Sequence, residues 1–323
     1  AQRRQQQPQP PPPAVHAPRV RVALQPNASL FVPGHGGVWG AGGAFGGKLT
    51  HATLVASAAA VASAKLGGRA VSLVLDRATD QALCGGREDT LIRYEAAFAP
   101  ATHQLKALRV DAYKNGGYVP ELSFWANNSM LMQMSSGYHV PAYELKCQNV
   151  TTNTAVRSTM RAPGDVEAAF VIESVLMHVA HAAGADGQAV RDANLLRPSQ
   201  PELSATTPEA DVDARYVMIN GQRAINYILP DIWDRLRAET KLDARLAEAV
   251  SHNAANRYKK RGVAMTPVRY EVSAFPKTSL VNIFPDGSVV IHHGGTEIGQ
   301  GLNTKAIQAA ALKLGGVFGG GGG

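Results

Sequence analysis

The chain has 323 residues, of which 45% are hydrophobic and 18% charged, with a formal charge of +7 at neutral pH. This composition excludes a chain that is disordered or fibrous throughout, and the length is enough for two ordinary domains or one large one. The basic excess is modest and scattered outside Arg3, Arg4, Arg19, Arg21 and the run Arg257, Lys259, Lys260, Arg261. No basic stripe interleaved with aromatics marks a nucleic-acid surface.

Residues 1–18 are rich in Gln and Pro, cannot build a core, and are expected to form a disordered lead-in. Val20–Leu24 reads as a short strand. Gly36–Lys48 carries seven glycines around Trp39 and Phe45 and runs into an alanine-rich helix predicted over 51–65, which Gly67-Gly68 stops. Glycine lets backbone amides approach a ligand and adopt positive φ. The first amides of a helix lack internal partners, so a glycine loop opening onto a helix suits an anion. The plain alternative is a flexible surface loop. Ala70–Asp76 reads as an apolar strand, and Thr90–Phe98 with Gln104–Tyr113 as a β-hairpin, because apolar and polar residues alternate on both sides of a turn.

Met130, Met132 and Met134 read as adaptable core filler. A strand over Tyr143–Val150 leads through the polar loop Thr151–Gly164 into a helix over Val166–Ala183, followed by a shorter one over Gln188–Leu195. Residues 198–213 are a linker by composition. Helices are predicted over Pro230–Lys241 and Leu242–Lys260, and strands over Val263–Val272, Ser279–Phe284 and Ser288–His292, the last two joined by the turn Pro285-Asp286-Gly287. The glycine-rich segment Gly294–Gly301 precedes a helix predicted over Asn303–Leu314, and the glycine tail beyond it is expected to be disordered. Three helix starts preceded by Gly or Arg thus suit one large anionic ligand.

Gly42 to Lys48 has the G-x-x-x-x-G-K spacing of a P-loop, with Asp76 as a candidate magnesium partner. Against it, Leu49 stands where a Ser or Thr is needed. There is no G-x-S-x-G elbow for a serine hydrolase. His178 and His181 lie on one helix without a third ligand, and His292 and His293 point to opposite faces of a strand. Cys84 and Cys147 match no zinc or iron–sulfur spacing, and the expected setting is a reducing, cytoplasmic one. No apolar run approaches 18 residues, so no membrane partner is expected.

The segments GGAFGGK, TNTAVRSTMRAPGDVEAAFVIES, VRDANLL, KKRGVAM and FPDGSVVIHHGGTEIGQGLNTKAIQAAA occur in this order across about residues 36–315. Together they resemble the molybdopterin-binding region of the xanthine dehydrogenase/aldehyde oxidase family, in its aldehyde-oxidase-like form. The resemblance implies a molybdopterin cofactor carrying molybdenum and hydroxylation of aldehydes or N-heterocycles with oxygen from water. Electrons would leave through iron–sulfur (2Fe-2S) clusters and FAD in other domains, and the full enzyme would be a homodimer. It implies cofactor-binding roles for Gly43, Phe45, Gly46, Arg161, Ile298, Gly299 and Gln300, with Phe45 and Arg161 near the metal but not ligating it. Leu49, Ser129 and Pro163 then line the substrate pocket. They stand where xanthine enzymes carry a glutamate, an arginine and an aromatic, which points to an aldehyde rather than a purine as the small-molecule substrate. The family's catalytic glutamate lies in a V-G-E segment that this sequence lacks, so no catalytic residue is assigned and the chain reads as an internal fragment, catalytically incomplete.

The expected fold is α+β (mixed α/β), in two lobes of sheet plus helices with the cofactor between them. The first lobe spans 19–197, the linker 198–213, and a second, truncated lobe 214–315, with the tail at 316–323. Two other readings remain open, a non-catalytic remnant of such an enzyme and a P-loop-like phosphate or nucleotide binder.

Overall fold

The computed structural model describes residues 20–21, 45–48, 50, 52–84, 86–197, 217, 221–223, 225, 227–270, 278–295, 297 and 299–318. They divide into two compact units, 1–82 with 276–323 and 83–275.

The first unit begins with β1 (Val20–Arg21), α1 (Ala52–Lys65) and β2 (Val71–Ser72), with β1 and β2 paired in parallel. Alanine gives α1 its helical propensity, and Val55 and Ala59 bury it against Val71, Leu73 and Leu75. The strand expected over 70–76 is shorter because Asp76 turns the chain into α2 (Arg77–Cys84), a helix not foreseen. Its carboxylate accepts from the Thr79 amide (2.9 Å) and hydroxyl (2.6 Å), in the manner of an N-cap.

In the second unit β3 (Thr90–Phe98) and β4 (Leu105–Gly117) form the expected hairpin, with β4 starting one residue later and ending four residues later than read. β5 (Tyr143–Thr151) runs parallel to β4, so the sheet order is β3-β4-β5. A parallel neighbour needs a crossover, and this one carries α3 (Ser123–Gln133). Its centre, Asn127-Asn128-Ser129, holds poor helix formers, which hid it from a reading by propensity. Met130 and Met134 are fully buried in the core, whereas Met132 is exposed.

α4 (Asp165–Ala183) covers the inner face of the sheet with Ala168, Val171, Ile172, Val175, Leu176 and Val179. By length and composition alone α4 is able to span a bilayer, but that buried stripe makes it the core helix of this unit. α5 (Gly187–Asn194) is capped by Asp186, which accepts from the amides of Gln188 (2.9 Å) and Ala189 (3.0 Å). Glu173 of α4 accepts from the Tyr138 hydroxyl at 2.6 Å and Arg191 Nε at 2.7 Å, a buried polar staple. Burial first, then the Glu173 carboxylate, hold the Tyr138 phenol far above its ordinary range.

α6 (Leu229–Thr240) and α7 (Leu242–Ala255) follow, anchored by Trp233, which packs with Leu195, Leu242 and Met265 and donates to Asp192 at 2.9 Å. α7 stops short of the expected Lys260, and Asn253 instead exchanges two 2.8 Å bonds with the Arg261 backbone. The strand expected over 263–272 is absent from its described part, Val263–Tyr270. Side chains satisfy that backbone instead of a ladder: Gln188 Oε1 accepts from the Met265 amide (3.0 Å), and Ser136 Oγ donates to the Pro267 carbonyl (2.8 Å). The linker 198–213 lies outside the described residues.

The first unit resumes with β6 (Ser279–Ile283) and β7 (Val289–His293), antiparallel about a turn in which Gly287 has φ +82°. Among the described residues they pair only with each other, and Leu280, Val281, Ile283, Val289 and Val290 are exposed. α8 (Leu302–Phe318) runs past the expected stop at Leu314, because neither Gly315 nor Gly316 takes the positive φ that caps a helix. The tail 319–323 and the lead-in 1–18 lie outside the described residues.

Candidate functional site

In the second unit the candidate residues gather on the loop between β5 and α4. Gly117 (φ +73°) lets this loop lie directly on the end of β4, since a Cβ there would stand 2.2 Å from the Ala155 carbonyl oxygen. Amide bonds from Thr152 to Gly117 O (2.9 Å) and from Arg157 to Gly116 O (3.1 Å) stitch the two together. At the other end Ala162 (φ +53°) and Gly164 (φ +82°) are left-handed. A Cβ on Gly164 would meet the Ala126 carbonyl oxygen at 2.1 Å and the Met130 amide nitrogen at 2.5 Å, so α4 starts in backbone contact with α3. Ser129 and Pro163 therefore sit on adjoining stretches of chain, both half-buried.

Arg161 is exposed at the crest of this loop. A second arginine fixes the peptides beside it: Arg87 donates to the Arg161 carbonyl (2.7 Å) and the Ala162 carbonyl (3.4 Å). Arg87 also stands 3.8 Å from Glu167 Oε2, and Glu167 Oε1 accepts from the fully buried Lys114 at 3.2 Å. The chain Lys114–Glu167–Arg87 thus ties β4 and α4 to the Arg161 loop. Around it, Glu88 is 4% exposed, and its two carboxylate oxygens, Arg157 Nε and Asn149 Oδ1 are buried without a partner in the chain. Orphaned buried polar atoms of this kind call for water or a ligand group. The Arg157 Nε–H and the exposed Arg161 guanidinium are donors that would suit the anionic, phosphate-bearing part of molybdopterin, whereas the Glu88 oxygens would need a donor from water or from a ligand N–H.

Burial pushes the Cys147 thiol up to about 11, which keeps it protonated at neutral pH. His178 Nδ1 is bonded to the Tyr94 hydroxyl, and the two rings stack at 5.9 Å. Among the described residues no group of three His, Cys, Asp or Glu side chains is arranged to hold a metal, and neither His178/His181 nor His292/His293 gains a third ligand there.

In the first unit Phe45 (φ +49°) and Gly46 (φ +92°) form a left-handed turn that presents the Phe45 ring 57% exposed. An exposed aromatic on a strained backbone is the kind of feature that collects at ligand sites. Lys48, the P-loop candidate, is paired with Asp80 of α2, and Asp76 with Thr79, so neither is arranged for a nucleotide and magnesium. Gly43, Leu49 and Ile298 lie outside the described residues.

The segment before α8 corrects one expectation. Its amides were expected to receive the cofactor, yet Glu297 holds them. Glu297 Oε1 accepts from the amides of Gly299 (2.8 Å) and Gly301 (3.0 Å), and Oε2 from Asn303 (3.1 Å). The Asn303 amide above all, then those of Gly299 and Gly301, hold this carboxyl below the usual carboxylate range. Gln300 is left exposed between Gly299 (φ +100°) and Gly301 (φ +73°). The structure therefore places Phe45, Gly46, Gly299 and Gln300 in one unit and Ser129, Arg161 and Pro163 in the other.

Sequence reasoning missed Arg87, Glu88, Lys114, Glu167 and the role of Glu297. Lys114 carried a signal, since it shares the parity of Leu108, Val110 and Ala112 on β4 and so must face inward.

Profiles of the molybdopterin cofactor-binding domain match residues 39–195 and 235–317. Among curated proteins, the chain is 34% identical over 283 residues to an indole-3-acetaldehyde oxidase of Zea mays, covering 87% of this chain and 20% of that protein. It is 30% identical over 275 residues to a xanthine dehydrogenase of Dictyostelium discoideum, covering 84% and 19%. Among solved structures, CO dehydrogenase from Oligotropha carboxidovorans superposes with a TM-score of 0.61 at 20% identity, over 83% of this chain and 34% of that one. That likeness concerns the fold. The chain spans about a fifth of the length of the curated relatives it matches.

Proposed function

Because the chain belongs to the molybdopterin-binding region of the xanthine dehydrogenase/aldehyde oxidase family, we propose that the whole protein oxidises aldehydes and that this chain contributes Phe45, Gly46, Arg161, Gly299 and Gln300, with Gly43 and Ile298, to cofactor binding. The observation that carries the reading is the Arg161 loop. It offers an exposed guanidinium on peptides fixed by Arg87, between the left-handed Ala162 and Gly164. Arginine reads phosphate and other planar anions through its fork of N–H groups.

The bound cofactor supplies a two-electron sink. The overall change is balanced as aldehyde plus water giving carboxylic acid, two protons and two electrons, the electrons passing to an external acceptor. This chain's residues bind and orient: Arg161 holds anionic oxygens, and the Phe45–Gly46 turn brings an aromatic edge and a backbone amide close to the cofactor. At Leu49, Ser129 and Pro163 the sequence carries no carboxylate or guanidinium that would pair with a purine, which supports an aldehyde as the substrate. The same reading takes the whole protein as a cytoplasmic homodimer.

Aldehyde-dependent reduction of a dye acceptor by the purified whole protein tests the substrate. Aldehydes are expected to be turned over at least about tenfold faster than xanthine or hypoxanthine, about 1.4 kcal/mol of discrimination. Purine turnover equal to the aldehyde rate contradicts the reading.

A further inference from the structure

The amides at the start of α8 lie in the segment assigned to the cofactor, and an internal carboxylate already holds them. One Glu297 oxygen bridges the amides on either side of Gln300, those of Gly299 and Gly301 at 2.8 and 3.0 Å, while the other oxygen takes the Asn303 amide at 3.1 Å. Gly299 and Gly301 both have positive φ and open space where a Cβ would stand, so at these two positions the backbone shape is not set by packing around the residue itself. Left alone, glycines on both sides of Gln300 would give it many conformations, since glycine loses the most freedom on ordering. Three charge-assisted bonds to one carboxylate remove that freedom. They also leave α8 with no free amide at these positions for a phosphate, because the carboxylate already complements the positive end of the helix.

We propose that Glu297 is a positioning residue for Gln300: its carboxylate clamps the Gly299–Asn303 backbone into the one shape that presents the Gln300 amide to the cofactor, and the α8 amides themselves do not touch that cofactor. The inference rests on the reading of this segment as part of a molybdopterin site. The clamp acts only through Gln300. Loss of Glu297 therefore costs the same cofactor interaction as loss of Gln300, and losing both costs no more than losing one.

The test uses the whole protein and the variants Glu297→Ala, Glu297→Gln, Gln300→Ala and the double variant Glu297→Ala/Gln300→Ala. Hydrogen exchange of the peptide covering 299–303 and molybdenum retained per chain after dialysis are both measured. In Glu297→Ala the peptide exchanges at least about tenfold faster, the opening of a loop stabilised by about 1.4 kcal/mol. Exchange elsewhere in α8 is unchanged. Glu297→Gln keeps one acceptor for the Gly299 and Gly301 amides, and its exchange falls between wild type and Glu297→Ala. Molybdenum retention drops in both single alanine variants, and the double variant is no worse than the lower of them. Unchanged exchange in Glu297→Ala overturns the clamp, whatever the metal content. Faster exchange with additive losses of molybdenum overturns the link to Gln300. A wild-type protein without molybdenum overturns the cofactor reading instead, and the exchange comparison still decides the clamp.

Discussion

Gly164→Ala is expected to be among the most damaging single substitutions in the chain, with a loss of more than about 4 kcal/mol in unfolding free energy. Two effects add. Gly164 has φ +82°, where an L side chain is strained by about 1–2 kcal/mol. The new Cβ would also stand 2.1 Å from the Ala126 carbonyl oxygen and 2.5 Å from the Met130 amide nitrogen. Both neighbours are backbone atoms of α3, so no flexible side chain can move aside. Relief requires α4 to shift away from α3, which opens the core around Met130, Ala168 and Ile172. Urea denaturation of the variant measures the loss, and a value below about 1 kcal/mol would show that α3 and α4 are not in backbone contact. The Gly117 carbonyl approach makes the same argument at the other end of the loop, where a Cβ would stand 2.2 Å from Ala155 O.

The second large effect concerns Lys114 and Glu167. Lys114 is fully buried on the central strand, and its ammonium lies 3.2 Å from Glu167 Oε1. Glu167→Ala removes the carboxylate and leaves the charge of Lys114 buried, at a cost of about 3–5 kcal/mol. Lys114→Met alone leaves Glu167 with Arg87 at 3.8 Å and is expected to be milder. The double variant Lys114→Met/Glu167→Leu removes both charges and packs apolar volume in their place, so it is expected to lie within about 1–2 kcal/mol of wild type. A double-mutant cycle in denaturant gives the coupling directly, and simple additivity would contradict a paired, buried interaction. Because Glu167 also faces Arg87, the single variants are expected to loosen the Arg161 loop and to lower cofactor retention along with stability.

Much of the second unit was legible from alternation. The β3–β4 hairpin, β5 and α4 follow from periods of two and 3.6 in the apolar residues, and in the first unit the turn at Gly287 follows from its glycine. The sequence reading failed where side chains outside the segment decide its backbone. α3 has weak propensity and forms because Ala126 and Met130 are buried against Gly164 and the sheet. Val263–Tyr270 looks like a strand, but Gln188, Ser136 and Gln133 satisfy its polar groups or contact its side chains in place of a neighbouring strand. Arg161 was readable as a candidate from the MRAPG segment. Arg87, which fixes its peptides from 74 positions away, was not, because no local pattern ties the two. The glycines around Gln300 read as a ligand loop by composition, whereas Glu297 within the same motif takes the amides of Gly299, Gly301 and Asn303 that the glycines and the helix start leave open.

The most direct measurement is the content of molybdenum and of pterin in the whole protein, purified from a host that loads a known molybdenum enzyme in parallel. The account predicts both groups in equal amounts, approaching one per chain, and a clear fall in both on Arg161→Ala with the fold intact. A correctly folded protein that carries neither group while the parallel enzyme is loaded would contradict it.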